Sequence, residues 1–179
     1  MALLKDYLAI YARYNSFANE RLLASIAQVP DEFYYRPVLA ASRSIHGILN
    51  HILAADLAWI GELTQQRSTV TSRDQVVCET RAALLGERRR VDAQMTALVD
   101  QLSEDDLMSL IRYDDAAAGP LLWPLMLEVA HVFRHSAHHR GQLTILLEAA
   151  GIEAPKLDEL FVPSDVVFEV APAGSRAAA

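Results

Sequence analysis

The chain has 179 residues, 52% of them apolar and 22% charged, with a formal net charge of −7. That length suits one domain with a sizeable core that needs no staple, and an acidic balance without clustered basic residues argues against a nucleic-acid footprint. Cys78 is the only cysteine, which excludes an intrachain disulfide and a cysteine-based zinc site.

The sequence opens without the charged region, apolar run and cleavage site of an export signal, and no apolar stretch reaches the roughly 18 residues of a membrane span. The expected setting is therefore the cytoplasm, with no membrane partner, and Cys78 is expected as a small core residue. In chain order, Leu4, Leu8, Tyr11, Asn15, Ala18, Leu22 and Ile26 recur at spacings of three and four. They predict a first helix from about Leu3 to Ala27, ended by Pro30 and Asp31. Asn15 and Asn19 lie one turn apart on or beside its apolar face. Buried amides need partners, so they read as bonds between helices, or alternatively as polar neighbours of a site.

Ser42 or Ser44 is a candidate cap for a second helix through roughly Leu63. Its second row, Ser44, Gly47, His51, Ala55 and Ala58, is small everywhere except at His51. Small side chains let another helix approach, and the one imidazole would project into the gap. His46 lies off that row and reads as peripheral. After a link at 65–74, Ser72 or Asp74 can cap a third helix from about Gln75 to Leu102, on which Glu87-Arg88-Arg89-Arg90 reads as a solvated charged face. Ser103-Glu-Asp-Asp starts a short turn or helix, and Arg112 to Gly119 reads as a turn or short hairpin. Proline is tolerated in a first helical turn, so a fourth long helix is expected from near Pro120 to Ala149, capped by Gly151. Leu157 to Pro163 reads as an apolar clip. Residues 1–163 then form a single domain, followed by an extended or disordered tail at 164–179. Four long helices imply an all-α, antiparallel four-helix bundle, in which sites are built from side chains on facing helices.

The fourth helix carries His131, His135, His138 and His139, four of the six histidines. Positions four apart differ by only roughly 40° around a helix axis, so His131/His135 and His135/His139 are each pairs on one face. Such a pair supplies two imidazole ligands to one divalent ion at about 2.0–2.1 Å, and a third must come from another element. A di-iron site would need a Glu-x-x-His motif on each of two helices; Glu128 with His131 gives one, and its counterpart is missing. The preferred site is a mononuclear centre of His51, His135 and His139. Asp56 is a candidate carboxylate for orienting an imidazole, and Gln142 for orienting a ligand or substrate. Arg140 points elsewhere, toward an acidic partner across the bundle, and Trp59, Tyr113 and Trp123 read as core residues that can line a pocket. Three neutral imidazoles leave an ion doubly charged and open, able to lower the pKa of a bound water or thiol.

The segment Ser44-Ile-His-Gly-Ile-Leu-Asn-His51-Ile-Leu-Ala-Ala-Asp56-Leu-Ala-Trp59, together with His135-Ser-Ala-His138-His139-Arg140-Gly-Gln142, resembles the DinB family of damage-inducible proteins. The resemblance extends to the asparagine-bearing first helix and so covers most of the chain. It implies a DinB-like four-helix bundle, often dimeric, in which His51, His135 and His139 bind a divalent metal, commonly zinc or nickel. It also favours His138 as a neighbour of the site and His131 as a supporting group over the His131/His135 pair. Relatives include thiol-dependent transferases and isomerases. The implied function is therefore metal-dependent S-transfer with a low-molecular-weight thiol cosubstrate and a small-molecule substrate, in a homodimer. A non-catalytic, stress-related metal-binding dimer and a metal-dependent hydrolase are the alternatives.

Overall fold

The periodic runs of the sequence fold as helices in a computed structural model that describes residues 3–38, 43–64, 66, 68–72, 74–115, 119–158 and 163. The elements are α1 (Leu3–Ile26), α2 (Asp31–Tyr35), α3 (Ile45–Leu63), α4 (Arg81–Gln101), α5 (Glu104–Met108), β1 (Leu110–Asp115), β2 (Gly119–Pro124) and α6 (Leu125–Ala149). The four long helices form a ring: α1 packs on α4 and α6, and α3 packs on the same two. Their apolar faces meet in one core that includes Leu8, Leu22, Leu53, Leu84, Phe133 and Leu143. Each such side chain contributes about 1.5–3 kcal/mol by leaving water.

The directions of the helices follow from which residues meet. Along α1, Arg13, Ser16, Asn19 and Glu20 bond Asp100, Thr96, Asp92 and Arg89, a falling order that makes α1 and α4 antiparallel. Helices α3 and α6 are also antiparallel, with Trp59 against His131 and His51 against His139. Helices α1 and α6 instead run the same way, since Tyr11 meets Phe133 and Asn19 meets Arg140. So do α3 and α4: the Asn50 side chain, in the second turn of α3, accepts the backbone N–H groups of Val77 and Cys78 just before α4 begins. The antiparallel relation thus applies to two of the neighbouring pairs. The link at 64–80 is the reason, because it returns the chain along the bundle as a crossover rather than as a tight turn. Gly61 lets it leave closely, since a Cβ there would stand 3.0 Å from that of Ser68.

Three boundaries and one burial differ from the sequence reading. Pro30 does not simply end α1; its carbonyl accepts the N–H groups of Phe33 and Tyr34 and starts the short helix α2. Helix α4 starts at Arg81 under a Thr80 cap, later than Gln75, because the donors of Val77 and Cys78 are already taken by Asn50. Helix α6 starts at Leu125, not near Pro120. The residue before a proline is driven to extended backbone, which suits Trp123 to a strand, while Gly119, at φ 78°, takes a conformation open to glycine where the second strand starts; 119–124 pairs with 110–115 as an antiparallel hairpin. Finally, Arg88 leaves the supposed solvated face: it is 2% exposed, while Arg89 and Arg90 pair outside with Glu20 and Glu87.

Other expectations hold in detail. Ser44 caps α3 by accepting the Gly47 N–H at 3.1 Å. Gly151, at φ 75°, ends α6 with its N–H on Glu148 and that of Ile152 on Leu147. The clip reaches Tyr14, whose hydroxyl donates to the Leu157 carbonyl at 2.6 Å; residues 159–162 and the tail at 164–179 lie outside the described residues, and so does the reading of Tyr113 as a side chain. No described helix is long and apolar enough to cross a membrane.

Candidate metal centre

The antiparallel contact of α3 with α6 brings His51 to His135 and His139, with ring centroids 5.2 and 4.7 Å apart. One nitrogen from each of the three lies within 4.8 Å of the other two, the arrangement of a group that can hold a metal ion. The row of small residues on α3 permits this approach: Ala55, one turn beyond His51, is buried against the neighbouring helices. Nε2 of His135 and Nε2 of His139 face each other at 3.2 Å. Two imidazole ligands on a tetrahedral ion are separated by about 3.3 Å when each bond is about 2.05 Å, so the donor set fits a divalent ion.

Protonation is set by what surrounds the rings. Gln142 Oε1 lies 2.8 Å from His139 Nδ1 and accepts its proton, which leaves the Nε2 lone pair toward the centre. Burial holds the His139 pKa below the usual imidazole value and favours the neutral form, although the Gln142 bond opposes this in part. Gln142 Nε2 also stands 3.4 Å from His138 Nε2, so this amide spans the two adjacent histidines. His138 is exposed and its ring lies 5.0 Å from that of His139. His131 is half-buried between Trp59, 5.6 Å away, and His135, 6.0 Å away, beside the three-histidine group rather than in it.

Asp56 does not orient an imidazole through any described contact. It is 2% exposed, and its carboxylate lies 2.6 Å from Arg88 Nη1. Arg88 in turn reaches Asp92 at 2.8 Å, and Asp92 accepts from Asn19. The Arg140 guanidinium donates to Asn15 and to Asn19, amides rather than the expected acidic partner. The two asparagines of α1 therefore bond between helices, in a buried network behind the histidines. His46, buried on the far side of Asn50, is hydrogen-bonded to Tyr34. Glu128 is buried, accepts the Trp123 indole N–H and lies outside the three-histidine group. Trp59 is 8% exposed and belongs to the core, whereas Trp123, on β2, is half-buried and lies outside the core cluster.

Several residues of the site were not found from sequence. Asp74 lies on the crossover, 3.9 Å from His51 Nδ1, and pairs with Arg43 at 2.8 Å. Both sit in non-periodic segments, so no spacing marks them. Arg88 did leave a signal: Leu84, Arg88, Val91 and Met95 recur at four, three and four along the buried row. Cys78 is half-buried, outside the histidine group, and burial raises its thiol pKa, which disfavours the thiolate.

Comparison with known proteins bears on the family and the fold. The family model described as DinB family matches residues 5–165. The chain belongs to the DinB family. It is similar to Protein DinB of Bacillus subtilis (strain 168), at 23% identity over 164 residues, covering 87% of this chain and 92% of that one. The crystal structure of a DinB-like protein from Bacillus cereus ATCC 10987 superposes with a TM-score of 0.61 at 18% identity, over 78% of this chain and 89% of that one. The DinB fold is thus common to both chains.

Proposed function

We propose that this DinB-family chain is a metal-dependent enzyme that binds zinc or nickel through His51, His135 and His139 and transfers a small thiol to an electrophilic small molecule. The observation carrying the reading is the 3.2 Å approach of two imidazole nitrogens from one helix, with a third imidazole delivered by the helix facing it. When bound, a divalent ion lowers the pKa of a coordinated thiol or water toward neutrality. In the transfer the S–H bond breaks, an S–C bond forms, and the bond from that carbon to its leaving group breaks with its electron pair, the proton departing with that group.

The chain's own residues prepare this step. Gln142 fixes the His139 ring and its tautomer. His131, wedged against Trp59, limits how far the His135 ring can turn. The only cysteine stands outside the centre with a raised pKa, so the thiol is a cosubstrate rather than a side chain. We propose further that the protein acts as a homodimer, for which the exposed apolar Leu110 and Leu122 on the hairpin are consistent with a covered surface.

The test is metal analysis of purified native protein and of His51→Ala, His135→Ala, His139→Ala and His46→Ala. Native protein and His46→Ala should carry about one ion per chain, and the three ligand variants far less. Full occupancy in all of the ligand variants refutes the site. Turnover of alkylating substrates with small thiols, lost with the metal and kept in Cys78→Ser, supports the transferase. Metal loss that lowers only thermal stability supports the non-catalytic alternative. Light scattering should give twice the 19.8 kDa chain mass.

A further inference from the structure

Beside the three histidines lies a cavity of about 260 Å³ lined by Arg43, Gly47, Asn50, His51, Asp74 and Gln75 among others. It shares His51 with the centre and is roofed by the crossover. Among the described residues Arg43 is its one cationic lining residue. Its guanidinium touches Asp74 through a single nitrogen, at 2.8 Å, and the Asp74 side chain is 76% exposed. A one-point pair with so exposed a partner is worth about 0–1 kcal/mol, so a competing anion can replace it. A guanidinium binds a carboxylate best through two parallel N–H···O bonds, and Asp74 makes only one of them. The same Asp74 oxygen stands 3.9 Å from His51 Nδ1, which places a carboxylate between the arginine and a histidine of the centre.

We infer that Arg43 is a specificity-determining residue that binds a carboxylate carried by the thiol cosubstrate, with Asp74 holding the guanidinium in place until that carboxylate displaces it. The ligand class is a small mercaptocarboxylate, its sulfur toward the histidines and its carboxylate on Arg43. Gly47, one turn before His51, supplies the space, since a Cβ there would meet no atom closer than the 3.6 Å of Ser44 Oγ. This inference rests on the metal-centred reading above.

The experiment loads the full chain with cobalt(II) and follows its visible spectrum during titration with mercaptoacetate or with 2-mercaptoethanol, which has a hydroxyl in place of the carboxylate. The native protein should bind mercaptoacetate about tenfold more tightly, a difference typical of a charge-assisted bond. Arg43→Gln should abolish that preference while keeping cobalt occupancy and 2-mercaptoethanol affinity, and Asp74→Asn should strengthen mercaptoacetate binding. A preference that survives in Arg43→Gln would mean that the ion itself chelates the carboxylate, and equal affinities in the native protein would mean that no anion subsite exists; either overturns the assignment of Arg43. Cobalt that fails to enter the native centre overturns the metal reading beneath it, and the inference with it.

Discussion

Arg140 of α6 donates to Asn19 of α1 at 2.9 Å, and the residue before it, His139, faces α3. A bond on one side of the helix therefore fixes its rotation for the histidines on the other. Arg140→Met leaves the buried Asn15 and Asn19 carbonyls without their donor and should cost about 2–3 kcal/mol. Urea denaturation checks this, with exposed Arg134→Ala as the near-neutral comparison. Metal affinity should fall in the first variant only.

Arg88 holds two buried carboxylates, Asp56 at 2.6 Å and Asp92 at 2.8 Å. Removing the cation alone strands both, so Arg88→Met should destabilise the protein by about 3–5 kcal/mol. Arg89→Ala, one residue on but exposed, should cost less than about 1 kcal/mol. Replacing all three members with apolar residues of similar volume should recover much of the loss, and chemical denaturation of the four proteins would show it.

Gln142 acts on the centre through His139. Gln142→Leu removes the acceptor for His139 Nδ1–H, and losses of this kind reduce metal affinity about 10- to 100-fold. Competition with a chelator of known affinity measures it. Gln142→Glu, which keeps an acceptor, should retain binding, whereas a purely packing role for Gln142 would make the two variants alike.

Stability should vary with pH through His46. Burial holds its pKa below the ordinary 6.5. In addition, the Asn50 amide is oriented by two backbone donors on its oxygen, so its Nδ2 donates to His46 Nε2, and a proton there would set two donors face to face. The unfolded chain therefore takes this proton more readily. Stability from neutral His46 is present above the unfolded value and is lost as pH falls through it toward the folded value. Asp92 works oppositely: its folded pKa, pushed up to about 6 by burial, favours the folded state as pH falls. The contribution of His46 is isolated by comparing urea midpoints of native protein and His46→Gln from about pH 7 to about pH 5, over which the variant should lose less.

What the sequence revealed follows from periodicity. Repeats of three and four marked α1, α3 and α6, and the spacing of His135 and His139 placed both on one face before any contact was visible. The direction of α4 was hidden, because it depends on a crossover held by Asn50, a polar residue inside an apolar helix. The strand pair 110–115 and 119–124 was half hidden: a proline tolerated by a helix start, Pro124, also drives Trp123 before it to extended backbone, and Gly119 takes a positive φ that no pattern announces. Arg88 was misplaced because its neighbours Arg89 and Arg90 are exposed, and a run of like charges conceals a single member turned inward.

The course of the chain has a kinetic consequence. No turn joins α3 to α6, and roughly eighty residues separate His51 from His135, so the last ligand arrives only after long-range packing is complete. An ion that needs all three imidazoles gains little from a partly ordered chain. If the three histidines hold an ion as proposed, saturating metal should then slow unfolding and leave the refolding rate almost unchanged: such a centre would be a latch on a finished fold, not a seed for one.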